Sequence, residues 1–233
     1  MKINELAKTT RAESDSRMGS ILLVCGVFFI AVILVFSTTD AIPIGVDEGE
    51  MPPNIKGESH VAGTGDVWNN FDLYSQFQSN WTEGDYNSTW FVIEFMSTDC
   101  PVCMSYGDEI EELSEYWSGR VQFIAVAVDF QFNEEFTSSP EEIIAFQEKS
   151  DFEGCNHGKG NCNTRDGGPH DKVLYVDDRD ASSMTDWGVQ GTPTSYILSP
   201  NGLVVWNQRN NQGQDLIDGL VELVPTDGMG GGA

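Results

Sequence analysis

Apolar residues fall along this chain in two different rhythms, and the alternation between them predicts an α/β domain. Trp90 to Met96 and Val121 to Phe130 are almost continuously apolar, as strands buried on both faces of a sheet are, and Phe91 to Phe95 is expected to form the central one. Between them Met104 to Trp117 carries its apolar side chains at three- and four-residue spacing, which predicts a helix and hence a βαβ unit. Further on, Pro140 to Phe146 predicts a helix capped by Ser138 or Ser139, and Lys172 to Val176 a short strand. Ala181 to Trp187 predicts a short helix. Ser195 to Leu198 and Leu203 to Trp206 read as strands around the turn Pro200-Asn201-Gly202, and Asp215 to Leu223 as a closing helix. Val67 to Trp81, with Trp68, Phe71, Leu73, Tyr74, Phe77 and Trp81, suits an amphipathic first helix. Asp151 to Asp171 breaks the pattern. It is polar and glycine-rich, holds Cys155, His157, Cys162 and His170, and predicts no packed element.

The N-terminal fifth is organised differently. Met18 to Ser37 is nearly free of polar side chains and just long enough to cross a bilayer. Lys2, Lys8, Arg11 and Arg17 precede it, whereas Asp40, Asp47, Glu48 and Glu50 follow it. The positive-inside rule therefore predicts a single-pass anchor in the cell membrane, residues 1–17 cytoplasmic and the remainder extracytoplasmic. A cleaved signal peptide, using Thr39-Asp40-Ala41, is the alternative. Cys25 reads as an apolar filler rather than a lipidation site. Residues 38–66, and Ala41 to Asp66 in particular, are rich in proline and glycine and read as a flexible linker to a domain at 67–226. The domain carries an insertion at 151–171, and a glycine-rich tail at 227–233 is expected to be disordered.

Composition narrows the partners. Of the 233 residues 39% are hydrophobic, enough for one domain's core, while 37 acidic residues against 12 basic give a net charge of −25. Such a surface repels nucleic acid and anionic lipid and suits a salt-rich medium. Asn80-Trp81-Thr82 and Asn87-Ser88-Thr89 match the glycosylation sequon, which has meaning only in a host that glycosylates exported chains.

The candidate chemistry lies where the central strand meets the helix that follows it. Cys100-Pro101-Val102-Cys103 follows the run Trp90 to Met96, so the free amides of the helix start point at the first sulfur and lower its pKa. Glu94 stands six residues earlier, inside the strand. Gly191-Thr192-Pro193-Thr194 comes some ninety residues later, ahead of a strand-turn-strand. Together these elements resemble the thioredoxin-fold thiol:disulfide oxidoreductases, in particular the membrane-anchored extracytoplasmic thioredoxin-like proteins. The resemblance spans Val67 to Pro225 and implies a thioredoxin-like α/β fold, a central mixed sheet flanked by helices.

By that resemblance Cys100 is the nucleophile and Cys103 the resolving thiol. Glu94, like the acid of protein disulfide isomerases, exchanges a proton with Cys103 if it faces the core; on the sheet's other face it would be an exposed bystander. Thr192-Pro193 resembles the loop that family members keep cis beside the active pair, where its backbone can bind an extended substrate. Asp99 stands where many relatives have tryptophan, leaving the substrate-facing rim less apolar. Asp99, Asp108, Glu109, Glu111 and Glu112 oppose a thiolate, so the sulfur is expected to be less acidified than in a strongly oxidising relative. Protein thiols or disulfides are the implied substrates, with a membrane redox partner and no cofactor or metal. Other readings are a thioredoxin-like copper chaperone, whose cysteines usually stand one residue further apart, and a redox-inactive binding module stapled by the disulfide.

Cys155 and Cys162 are expected to form a structural disulfide, since such bonds persist in exported chains; a zinc site with His157 and His170, or a second redox pair, are the alternatives. The lone histidines otherwise read as solvated. The chemistry as read needs only the helix start, Glu94 and the Thr192-Pro193 loop, so the insertion is expected to be separable from it.

Overall fold

The computed structural model describes residues 20–31, 41–85, 87–129 and 138–226. Residues 20–31 form a helix, α1, in a unit that ends at Ile42. Among the described residues no helix is long and apolar enough to cross a membrane. The expected span at 18–37 extends past α1 into residues outside those described, as do the segments 1–17 and 227–233.

The second unit, from Pro43, is built on one seven-stranded sheet in the order β2-β1-β5-β4-β3-β6-β7. Its strands are β1 (Lys56–His60), β2 (Trp68–Asp72), β3 (Trp90–Met96), β4 (Val121–Val128), β5 (Val173–Asp178), β6 (Thr194–Leu198) and β7 (Val204–Asn207). β3, β4 and β5 run parallel, and β6 pairs antiparallel with β3. Every residue of β3 is buried, as its unbroken apolar sequence requires of a strand covered on both faces. Alternation splits its side chains. Phe91, Ile93 and Phe95 enter one core layer with Trp187 and Tyr196; Val92 and Met96 enter the other with Cys103, Ile110, Trp117 and Phe146.

Helices α2 (Pro101–Ser105), α3 (Gly107–Tyr116), α4 (Pro140–Glu148), α5 (Cys155–Gly158), α6 (Ser182–Asp186) and α7 (Leu216–Leu223) complete the unit. Ser139 caps α4 by accepting from the Glu142 amide at 3.1 Å. In α5, Asn156 and His157 have left-handed backbone angles. A parallel β3-β4 pair with a helix between, followed by antiparallel β6 and β7 and a closing helix, is the connectivity of the thioredoxin fold, extended here by β5, β1 and β2.

Four expectations need correction. The amphipathic helix over Val67 to Trp81 is instead β2 followed by a 3-10 turn, Leu73–Gln76: five residues pair in register with β1, and that ladder overrides the helical spacing of the aromatics. The flexible linker is folded from Pro43 on. Ile55 is fully buried, Lys56–His60 joins the sheet, Glu50 O accepts from Val204 N at 2.9 Å, and Pro53 O from the Trp187 indole at 2.9 Å. Its prolines and glycines are turn chemistry rather than slack. The helix opens at Pro101, as the CxxC placement requires, but the continuous run expected to Trp117 breaks at Tyr106, where Met104 O accepts from the Asp166 amide at 2.9 Å. Finally, the insertion is packed. Cys155, Cys162 and Arg165 are fully buried and His170 nearly so, and His60, also read as solvated, is buried against Gln147.

Candidate active site

Cys100 is the N-cap of α2: its backbone is extended, and its sulfur accepts from the Cys103 amide at 3.4 Å. Pro101 occupies the first helical turn, where no intrahelical bond is lost. Both cysteines are free thiols, and Cys103, one turn in, is the more buried. The Thr192-Pro193 bond is cis, and Thr192 O lies 3.3 Å from the Cys100 sulfur, so β6's leading loop closes over the nucleophile.

The two thiols are driven apart. Cys100 is lowered to about 5, above all by the Cys103 thiol donating to its thiolate, with the Thr192 side chain and the amides of Cys103 and Val102 adding to it against the cost of burial. Cys103 is pushed well up, first by burial and then by Cys100 itself. One sulfur is an anion at neutral pH and the other keeps its proton, which is the division of labour a nucleophile and a resolving thiol require.

Glu94 faces the helix side of β3 and is 6% exposed, so it lies in the layer of Cys103 and not on an open face. Burial, then Glu109 and the Cys100 charge, raise its carboxyl to about 8, while Arg165 pulls the other way. A carboxyl poised near neutrality beside a thiol that must lose its proton is suited to take it.

Asp99 does not form a substrate-facing rim. It is 8% exposed and lies under the insertion, its Oδ1 accepting from the His157 amide at 2.7 Å, and burial raises its pKa. Its expected opposition to the thiolate is therefore weak. The exposed rim is instead Pro101 and Val102.

Cys155 and Cys162 are joined in a disulfide, which removes them as thiolate ligands for zinc. The insertion they staple contacts the flanks of the site. Asn156 N donates to Thr98 O at 3.0 Å and Asp166 N to Met104 O, on either side of the CxxC pair. The residue that sequence reasoning missed is Arg165. A lone arginine among glycines and polar residues gives no periodic signal, yet its guanidinium lies against Gly107, where any β-carbon would strike its Nη1.

No protein-family model matches the chain, and no curated protein matches it. Among solved structures it is similar to a secreted disulfide oxidoreductase of Mycobacterium tuberculosis homologous to DsbE of E. coli, at 12% identity over 72% of this chain and 94% of that one, TM-score 0.42. It is similar also to the exposed lipoprotein thioredoxin Etrx1 of Streptococcus pneumoniae, at 12% identity over 74% and 98%, TM-score 0.44. The 2-Cys peroxiredoxin of Plasmodium vivax, in its reduced form, is similar at 16% identity over 75% and 93%, TM-score 0.48. At such identities and TM-scores these likenesses assign no chemistry to the chain.

Proposed function

We propose that this chain is a thiol:disulfide oxidoreductase that exchanges disulfides with protein substrates through Cys100 and Cys103. The observation that carries the reading is the split between the two thiols, one acidified at a helix start and one buried and protonated above a carboxyl near neutrality.

In the reducing direction the Cys100 thiolate attacks a substrate disulfide, forming the mixed disulfide and releasing one substrate thiolate, which takes up a proton. The Cys100 charge that raised Glu94 is then gone, so Glu94 ionises more readily and accepts the Cys103 proton. The Cys103 thiolate attacks the Cys100 sulfur. The Cys100–Cys103 bond forms, the second substrate thiolate leaves and is protonated, and the active pair has given two electrons to the substrate. The oxidising direction is the reverse, and a stabilised Cys100 thiolate favours it by stabilising the reduced pair. Thr192 and Pro193 bind the extended substrate beside Cys100, and Pro101 and Val102 give it an apolar rim.

We place this domain outside the cell membrane, held by the apolar run Met18 to Ser37 with residues 1–17 cytoplasmic, and served by a membrane redox partner that resets the active pair. The support is the charge asymmetry about that run and its apolar length.

Trapping tests the exchange. Cys103→Ser is expected to accumulate a mixed disulfide through Cys100, because nothing clears the adduct, whereas Cys100→Ser forms none. Equal trapping by both variants, or by neither, would refute the assignment.

A further inference from the structure

Arg165 is a charged side chain with no exposed surface, carried into the core by the disulfide-closed insertion. Its five N–H groups meet only neutral acceptors: Nε reaches Phe146 O at 2.9 Å, Nη1 reaches Asp166 O at 2.8 Å and His170 Nε2 at 2.7 Å, and Nη2 reaches Gly168 O at 2.6 Å and Gln147 O at 3.5 Å. His170 Nε2 lies between the guanidinium and Gly107 O, 2.8 Å from the latter, and its Nδ1 lies 2.7 Å from Tyr175 Oη. Burial and Arg165 together hold that imidazole neutral, near 3. The hydrogen bonds are satisfied but the charge is not. Among the described residues the ion pairs are Lys56–Asp72 and Arg179–Asp177, and Arg165 belongs to neither.

An uncompensated cation in a low-dielectric core is costly, and removing water from it is repaid only by an anion nearby. The sheet shows where one arises. Glu94, Ala125 and Tyr175 are direct neighbours across β3, β4 and β5 and share one face, with only the small Ala125 side chain between the carboxyl and the phenol that His170 holds. The charged and titratable groups facing Arg165 are Tyr175 from β5, Glu111 from α3, Asp166 from its own loop and Glu94 from β3. Asp166 is exposed, and Glu111 is half-buried and already takes the Gly168 amide, so water screens both. Glu94 is the deeply buried acid of the set, faced in turn by Glu109 from α3 and by Cys100 and Cys103.

We propose that Arg165 is the fixed countercharge of Glu94, a positioning residue that stabilises the Glu94 carboxylate as it takes the proton of Cys103 during resolution of a mixed disulfide. During that step the charge passes from the Glu94 carboxylate to the Cys103 sulfur and leaves with the substrate thiolate; the proton moves the opposite way, from Cys103 to Glu94, and one S–S bond replaces another. A cation fixed behind Glu94 favours the carboxylate that takes the Cys103 proton, which gives the insertion a part in the chemistry. The inference rests on the exchange reading above.

The test follows the Cys100–glutathione mixed disulfide, formed from the reduced full-length protein and glutathione disulfide, and measures its resolution by Cys103 from about pH 5 to 10. In Arg165→Gln the rising limb is expected to move up by about one pH unit, so that resolution near pH 7 slows about tenfold. Arg165→Lys, which keeps the charge and loses most of the hydrogen bonds, should track the wild type. Within a Glu94→Gln background Arg165→Gln should leave the pH profile where Glu94→Gln puts it. If Arg165→Gln does not fold, citrulline incorporated at position 165 removes the charge from a side chain of nearly the same shape. An unmoved limb in a folded neutral variant, or an equal shift without Glu94, overturns the proposal while leaving the exchange reading intact. Failure of the wild type to form the glutathione adduct at Cys100 overturns both.

Discussion

Glu94 shows what burial does to one residue. A carboxyl at about 8 in the folded chain has a value near 4.5 when unfolded, so its folded pKa is raised. Folding then favours the protonated form. The stability Glu94 contributes is complete below about pH 4.5 and is lost as pH rises to 8, with a slope of about 1.4 kcal/mol per pH unit across that window. Glu94→Gln keeps the shape and cannot ionise. It is expected to remove this slope, so that from pH 5 to 8 the denaturant midpoints of the wild type fall relative to those of the variant, on top of the rise that the acidified Cys100 gives both. The same variant should slow exchange, most where Cys103 must lose its proton. Parallel stability profiles together with unchanged exchange rates would make Glu94 a bystander.

At the scale of elements, the insertion is the part whose role the sequence concealed. The strands were legible because continuous apolar runs such as VQFIAVAV have few other uses, and the CxxC at a strand-helix junction marked its own place. β1 and β2 were not, because Lys56–His60 and Trp68–Asp72 are short, polar on one side and stabilised by pairing with each other. The insertion was not, because its packing rests on backbone hydrogen bonds and on Arg165, and neither leaves a hydrophobic period. Closing a loop across a separation of seven residues should stabilise the folded chain by about 2–3 kcal/mol. The double variant Cys155→Ser, Cys162→Ser is expected to lose that amount. It should also slow exchange, since the loop holds Thr98 and Asp99 beside the active pair. Thermal unfolding and thiol exchange measured on the same preparation check this. Loss of stability with exchange at the wild-type rate would return the insertion to the separable role expected from its composition.

The whole molecule sets a field against its own active site. With a net charge of −25, the long-range potential disfavours one more anion at Cys100, and screening weakens that opposition beyond about 8–10 Å at physiological salt. Against it stand nearby donors that lower the thiol's pKa: the Cys103 thiol, the Thr192 side chain, and the Cys103 and Val102 amides, the Cys103 amide within 3.4 Å. Local contact should prevail, because it acts where water is excluded and ions do not enter. Whether it does is also the most direct test of the central claim that Cys100 is an activated nucleophile. The measurement is the alkylation rate of each cysteine in the reduced protein, mapped by mass spectrometry from about pH 4 to 10 at physiological salt. Cys100 is predicted to react with a midpoint near 5 and Cys103 to stay unmodified through neutrality. A common midpoint near 9 for both thiols would contradict the account.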